Sequence, residues 1–345
     1  MIWLRLQLHS PQACLKRNSR INVTRMSDQV SPRRVHLDLR TIGIAVIVLG
    51  GFAVWSSYFT ALPLWLGAPL GSILLTWYGS LQHETIHGHP TKSRRINTAI
   101  GVLPLSLWIP YPIYRESHIR HHRHSRRCLT EVGHDPESFY LLPGQLTRVG
   151  RFKRAIFRAN CTLAGRLILG PAISIAVFWA QEVRQAAANR RHRRIWLGHA
   201  LGTAAVLVWA VGICHIPFLV YVLLVVYPSA SLTHLRSFAE HRAHDQSHLR
   251  TNVVEAHPLL ALLFLNNNLH VAHHAYPHAP WYHLPSIWRN MQGVGMRTGR
   301  TFNGYGEVAR QFFFRPFITV EHPTVGLLRP SDTREHSGLP TVSRV

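Results

Sequence analysis

The sequence predicts an all-α membrane protein: four transmembrane helices arranged as two hairpins, with a large cytoplasmic portion. Three observations predict it. Residues 41–82 and 195–235 form two stretches of 42 and 41 residues without a single Asp, Glu, Lys or Arg. One helical crossing of a ~30 Å hydrocarbon core needs ~20 residues, so each stretch holds two crossings and a turn. The basic residues avoid both turns and crowd the flanking segments, as expected where positive charge stays cytoplasmic.

The elements follow in order. Residues 1–40 carry eight Lys/Arg against two acids. Within them, 1–25 are basic, acid-free and weakly amphipathic, which fits an interfacial helix or a targeting segment. Translation starting at Met26 is the alternative. The spans expected next are 41–61 and 64–82, separated by Leu62-Pro63, since proline interrupts a helix. Residues 90–158 are basic. Residues 167–181 are uncharged for only 15 residues, follow Arg166 and contain Gly170-Pro171. At ~1.5 Å per residue that stretch is too short for an upright crossing. A fifth span would also put one set of basic segments outside, so 167–181 is expected to be interfacial or re-entrant. Arg184 to Arg194 carry five Arg. The second hairpin is expected at 195–212 and 216–235, turning at Gly212 to Pro217. Residues 236–315 are again basic and close the membrane domain, 41–315. The tail 316–345 is polar.

Composition narrows the function. The chain has 345 residues, 38 Lys+Arg, 15 Asp+Glu and 25 His, a net charge of +23 with histidine neutral. With 47% hydrophobic and 15% charged residues it is not a disordered polyelectrolyte. Because the charge flanks the apolar stretches, its partner is a membrane surface, with no nucleic acid implied. The four cysteines are scattered with no CxxC pair, which argues against a disulfide framework.

The histidines are clustered. His83-Glu84-Thr85-Ile86-His87-Gly88-His89 begins where the first apolar stretch ends. His118-Ile119-Arg120-His121-His122-Arg123-His124 and His270-Val271-Ala272-His273-His274 repeat a His-x2-His-His spacing. Glu240-His241-Arg242-Ala243-His244 follows the second apolar stretch. At i,i+3 and i,i+4 the imidazoles of a helix project from one face. Converging imidazoles repel if protonated, and a divalent metal removes the conflict by taking neutral nitrogens as ligands. Nine well-spaced histidines exceed one zinc site and suit two metals. Imidazole suits Zn, Cu, Fe and Ni, but copper would more often recruit Cys or Met, absent from the clusters. His83 to His87 also match HExxH, in which Glu84 would be the base of a membrane zinc protease. That motif leaves the other clusters unexplained. His9, His36, His192, His257, His322 and His336 are read as solvated, and His199 and His215 as making local hydrogen bonds.

The three boxes, HxxxH, HxxHH and HxxHH in that order, together with the two apolar hairpins, resemble the integral-membrane fatty acid desaturase family. The resemblance covers roughly residues 40–290. It implies four membrane helices and a cytoplasmic helical cap carrying the histidine boxes and two irons. By that resemblance His83, His87, His118, His121, His122, His270, His273 and His274 are iron ligands, and His241 takes the place of an additional histidine common in the family. Some animal members have Asn four residues before it; here the position is Ser237. His89, His124, His244, Asp135, Glu116 and Glu240 are candidates to support the ligands, the acids by accepting an imidazole N–H. Glu137 is read as a surface carboxylate paired with an Arg. Asn266-Asn267-Asn268 are read as amides capping the third-box helix.

The function implied is an O2-dependent di-iron desaturase, acting foremost on a fatty acyl chain. LQHETIHGHPT and LNNNLHVAHH look like the compact bacterial branch, which includes a desaturase-like protein assigned to dihydrorhizobitoxine. A small non-lipid metabolite and a hydroxylation reaction are therefore the alternatives. The expected location is the bacterial inner membrane, boxes and both termini cytoplasmic. No dinucleotide fingerprint, CxxC cluster or HPGG motif is present, so electrons are expected from a separate ferredoxin or similar carrier. An acidic carrier would be attracted to the basic face.

Overall fold

The computed structural model describes residues 37–124 and 128–323. The start-site question at residues 1–25, the side chain of His124 and most of the polar tail lie outside the described residues.

The first apolar stretch folds as α1, Leu39–Ser57, and α2, Leu64–Ile86. Asp38 starts α1: its carboxylate accepts from Thr41 N at 3.1 Å and Thr41 Oγ1 at 2.6 Å, satisfying two donors at the helix end. A short 3-10 turn at Phe59–Ala61 and the extended Pro63 reverse the chain. The two helices run back along each other. Trp55 Nε1 donates to Gly67 O at 2.8 Å at one end. At the other end Trp281 bridges them, donating from Nε1 to Thr41 Oγ1 and from its backbone N to Glu84 Oε2. Gly71 makes the close approach possible, since a Cβ there would fall 2.2 Å from Trp55 Cζ2.

The chain continues with α3, Arg94–Gly101, and α4, Tyr111–His124. Then come α5, Arg151–Asn160, α6, Leu163–Ile168, and α7, Gly170–Ala188. Helix α7 runs past the end of the apolar stretch at residue 181. It can do so because Glu182 is paired: it accepts from His192 Nδ1 at 3.0 Å and Trp196 Nε1 at 3.1 Å.

The second apolar stretch folds as α8, Arg190–Ile213, and α9, Phe218–Phe238. Each contains a π-helical turn, Val208–Ile213 and Tyr221–Val226. Helix α9 lies on α2, where Ser72 Oγ donates to Leu224 O at 3.1 Å. Beyond it lie α10, Pro258–Leu263, α11, His270–Ala275, α12, Leu284–Gly293, and α13, Gly304–Phe312. One strand pair interrupts the helical pattern: β1, Val253–Val254, pairs in parallel with β2, Thr301–Phe302.

Among the described residues three helices, α1, α8 and α9, are long and apolar enough to cross a membrane. Their apolar surface is largely uncovered, with Leu197, Leu201, Val208 and Leu219 all exposed by more than 60%. Exposed apolar bands of this length need a lipid solvent. Helix α2 is long enough but does not reach the same hydropathy. It is the central helix, touched by α1, α3, α9 and α10. Its Gly, Ser, Thr and Gln residues face protein, and Ser72, Thr76 and Gln82 are buried.

Candidate metal centre

Four segments end at one place. His83 and His87 occupy the last turn of α2 and its cap. His118, His121 and His122 lie on α4, and His270, His273 and His274 on α11. His241 follows α9 in a short bridge to Thr251. The nine imidazoles sort into two groups whose nitrogens lie within 4.8 Å of one another: His83, His87, His118, His122 and His273, and His121, His241, His270 and His274. Each box contributes to a group by helical phase. His118 and His122 share a face, whereas His121 is rotated toward the other group.

The spacing of the ring nitrogens tests whether a cation fits. In the first group His118 Nε2 lies 3.0 Å from His87 Nε2 and 3.1 Å from His122 Nε2, which is 3.0 Å from His273 Nε2. In the second, His270 Nε2 lies 2.9 Å from His241 Nε2 and 3.0 Å from His274 Nε2, which is 3.3 Å from His121 Nε2. Two nitrogens each ~2.1 Å from a shared cation and at a right angle about it are ~3.0 Å apart. The protons fit as well. His118 Nδ1–H donates to Glu137 Oε1 at 2.9 Å, His121 Nδ1–H to Asp135 Oδ1 at 2.8 Å, and His270 Nδ1–H to Asn267 Oδ1 at 3.1 Å. Each such ring turns an unprotonated Nε2 inward, the tautomer a metal requires.

Electrostatics agree. Burial, then the crowding of neighbouring imidazoles, holds His270, His273 and His274 well below the ordinary imidazole range. His241 is pushed down to about 3 by burial and His121. His121 itself goes the other way, to about 9: burial opposes the charge, but Glu137 and Asp135 outweigh it. Burial thus favours the neutral form of the other eight imidazoles, while Glu137 and Asp135 give the site a preference for positive charge at His121.

Several expected residues are placed differently. Glu137 is not paired with an Arg but holds His118, and Asp135 is locked beside it by Thr130 N at 2.8 Å. Glu116 supports no ligand; it pairs with Arg191 at 2.9 Å near the surface. His244 accepts from Gln246 N and touches no ligand. His89 donates to His278 O at 3.2 Å and faces Asp38, one step behind the cluster. Glu240 lies 3.5 Å from His270 Nδ1 and 3.4 Å from Arg236 Nη1. The three asparagines do not cap α11, whose cap is Leu269. Asn266 donates to Trp281 O and Asn268 to Val254 O, while Asn267 orients His270 and touches His83 Nε2 at 3.5 Å. His322 is buried beside Thr130 and Tyr140, not solvated. His192 holds Glu182, His257 caps α10, and His199 donates to Leu107 O at 2.9 Å. His278, which no spacing singled out, donates to His87 O at 3.0 Å.

A cavity of about 740 Å³ opens beside the first group. His83 and His118 line it, together with Tyr78, Trp108, Ile173 and Phe178.

The fatty acid desaturase family model matches residues 53–305, most of the described chain. The chain belongs to the fatty acid desaturase family. It is also similar to zeaxanthin 4-ketolase of Chlamydomonas reinhardtii, at 24% identity over 294 residues, covering 77% of this chain and 58% of the relative. The chain thus spans 58% of the length of the curated relative it matches. The family and the apolar helices make this chain an integral membrane protein. The two histidine groups fit the di-iron site typical of the family.

Proposed function

We propose that the chain is a membrane-bound, O2-dependent di-iron desaturase that introduces a carbon–carbon double bond, foremost into a fatty acyl chain. The observation that carries the reading is the pair of imidazole groups with nitrogens within 4.8 Å of one another, one of which borders a cavity. Nine imidazoles in two groups suit two irons better than zinc. A closed zinc site takes four ligands, fewer than the five imidazoles of the first group. His83, His87, His118, His122 and His273 would hold one iron, and His121, His241, His270 and His274 the other. A reduced iron pair supplies the O2-derived oxidant that breaks an unactivated C–H bond. The protein's part includes aiming His118, His121 and His270 through Glu137, Asp135 and Asn267. The cavity walls at Tyr78, Trp108 and Phe178 would fix which C–H lies against His83 and His118.

The architecture that goes with this reading has four spans, α1, α2, α8 and α9, as two hairpins. The rest forms a cytoplasmic cap between a basic segment 1–40 and the tail 316–345. Residues 167–181 lie at the interface. The membrane is a bacterial inner membrane with both termini cytoplasmic, and a separate ferredoxin-like carrier delivers two electrons per turnover. Oxygen insertion is the second reading, favoured by the similarity to a ketolase. Desaturation of a small metabolite is the third. The HExxH protease reading has little support, because Glu84 is engaged by Trp281 N and His83 joins four other imidazoles.

Elemental analysis of purified protein should find about two irons per chain, in line with nine imidazole ligands. One zinc and no iron would overturn the reading.

A further inference from the structure

Arg236, two residues before the end of α9, is buried but for about a sixth of its side chain. A guanidinium carries five N–H donors and stays charged at any physiological pH. Among the described residues Arg236 has one partner, Glu240, at 3.4 Å, and no hydrogen bond of ordinary length. It also lines the 740 Å³ cavity, with Tyr114, Ser237 and Asn267 around it. Burying an arginine with most donors unused is costly unless a ligand completes them.

The acids that line the same cavity are already engaged. Glu137 and Asp135 hold His118 and His121, Glu116 pairs with Arg191, and Glu182 accepts from His192 and Trp196. None of them is free to complete Arg236. Arg236 is also close to the metal groups: its Nη1 and His270 Nδ1 both lie within 3.5 Å of the same oxygen, Glu240 Oε1.

Resting on the di-iron reading, we propose that Arg236 binds the carboxylate of the substrate, so that oxidation falls on a carbon only a few bonds from that group. A planar fork matches a carboxylate with two parallel hydrogen bonds, and the ion pair forms away from bulk water. The apolar remainder of the substrate then runs along Ile173, Phe178 and Trp108. A carboxylate can belong to a fatty acid or to a small acid, and the length of the apolar part separates the two.

The test is binding to full-length, iron-loaded protein in nanodiscs, measured by titration calorimetry with decanoate, 1-decanol and butanoate. Decanoate is expected to bind at least ~10-fold tighter than decanol, the discrimination a charge-assisted pair gives. In Arg236→Gln that preference should vanish while decanol affinity and iron content stay. Arg236→Lys should keep part of it. Butanoate binding as well as decanoate would support the proposal and indicate a small acid; much weaker butanoate binding would support it and indicate a chain. Equal binding of decanoate and decanol by the unmodified protein overturns the proposal. So does an Arg236→Gln protein that loses iron and both ligands together, which would reduce Arg236 to a brace for Glu240. Iron content is read separately, so failure of the di-iron reading is told apart from failure of this one.

Discussion

Asp135 shows how much one side chain can determine. Its Oδ1 accepts from His121 Nδ1 and from Glu137 N at 2.9 Å, and its Oδ2 accepts from Thr130 N. Three of its roughly four lone-pair directions are thus used to fix one imidazole. Asp135→Asn keeps the shape but removes the charge and can turn a donor toward His121. Iron affinity of the His121 group should fall ~10–100-fold while the His118 group keeps its metal. Iron titration would then reveal one tight and one weak site; two unchanged sites would remove Asp135 from the support of the centre. That the nine histidines could act in groups was legible because helical spacing is a local property of sequence, and they do converge. Asp135 was legible as an acid near a box. Glu137 was not, because an acid amid many arginines is ordinarily paired with one, and its approach to His118 depends on the turn at Thr130 to Ser138. Asn267 was misread for a similar reason. An Asn before a helix usually caps it, but here Leu269 takes the cap and frees the amide for His270.

Helices were readable wherever a solvent requirement was written along the chain. The uncharged stretches gave α1, α8 and α9 with bounds shifted by a few residues, and Pro63 and Pro217 mark their turns. Helix α7 outran its apolar stretch because Glu182 found its partners on α8, a tertiary contact invisible in the local pattern. The β1–β2 ladder had no local signal either: two residues pair with two others 48 positions away. The tight seam between α1 and α2 does make a prediction. A methyl on Gly71 must displace Trp55, whose ring is also held by Gly67 O. Gly71→Ala should therefore destabilise the protein by ~1–3 kcal/mol, the usual cost of overpacking. Gly50→Ala on α1, where nothing lies within 4 Å, should not. Thermal unfolding of both variants in one detergent checks this, and equal melting temperatures would refute the seam's importance.

At the scale of the whole molecule, the question is whether α2 crosses the membrane although its hydropathy is lower than that of its neighbours. Contacts at the two ends of the pair support the proposed crossing. Thr41, near the start of α1, and Glu84, near the end of α2, both bind Trp281, while Trp55 and Gly67 meet at the opposite end. If α1 crosses, α2 must return beside it over the same length. The histidines impose the same parity on the second pair: His83 ends α2 and His241 follows α9, and they belong to adjoining groups of one cluster. The ends of α2 and α9 therefore share a side, and so does the start of α8, because His192 pairs with Glu182 of α7. Charge then chooses the side. Five Arg between Arg184 and Arg194 and eight Lys/Arg in residues 1–40 flank these ends, whereas the turns at Leu62-Pro63 and Gly212 to Pro217 carry no charge. Positive segments resist translocation, so the orientation proposed above puts the cluster on the cytoplasmic side. A reporter active only in the cytoplasm should work when fused after residue 92 or residue 245, and fail when inserted at the turn between residues 62 and 63 or fused after residue 215. A reporter that worked at either turn would break the parity argument and remove that hairpin.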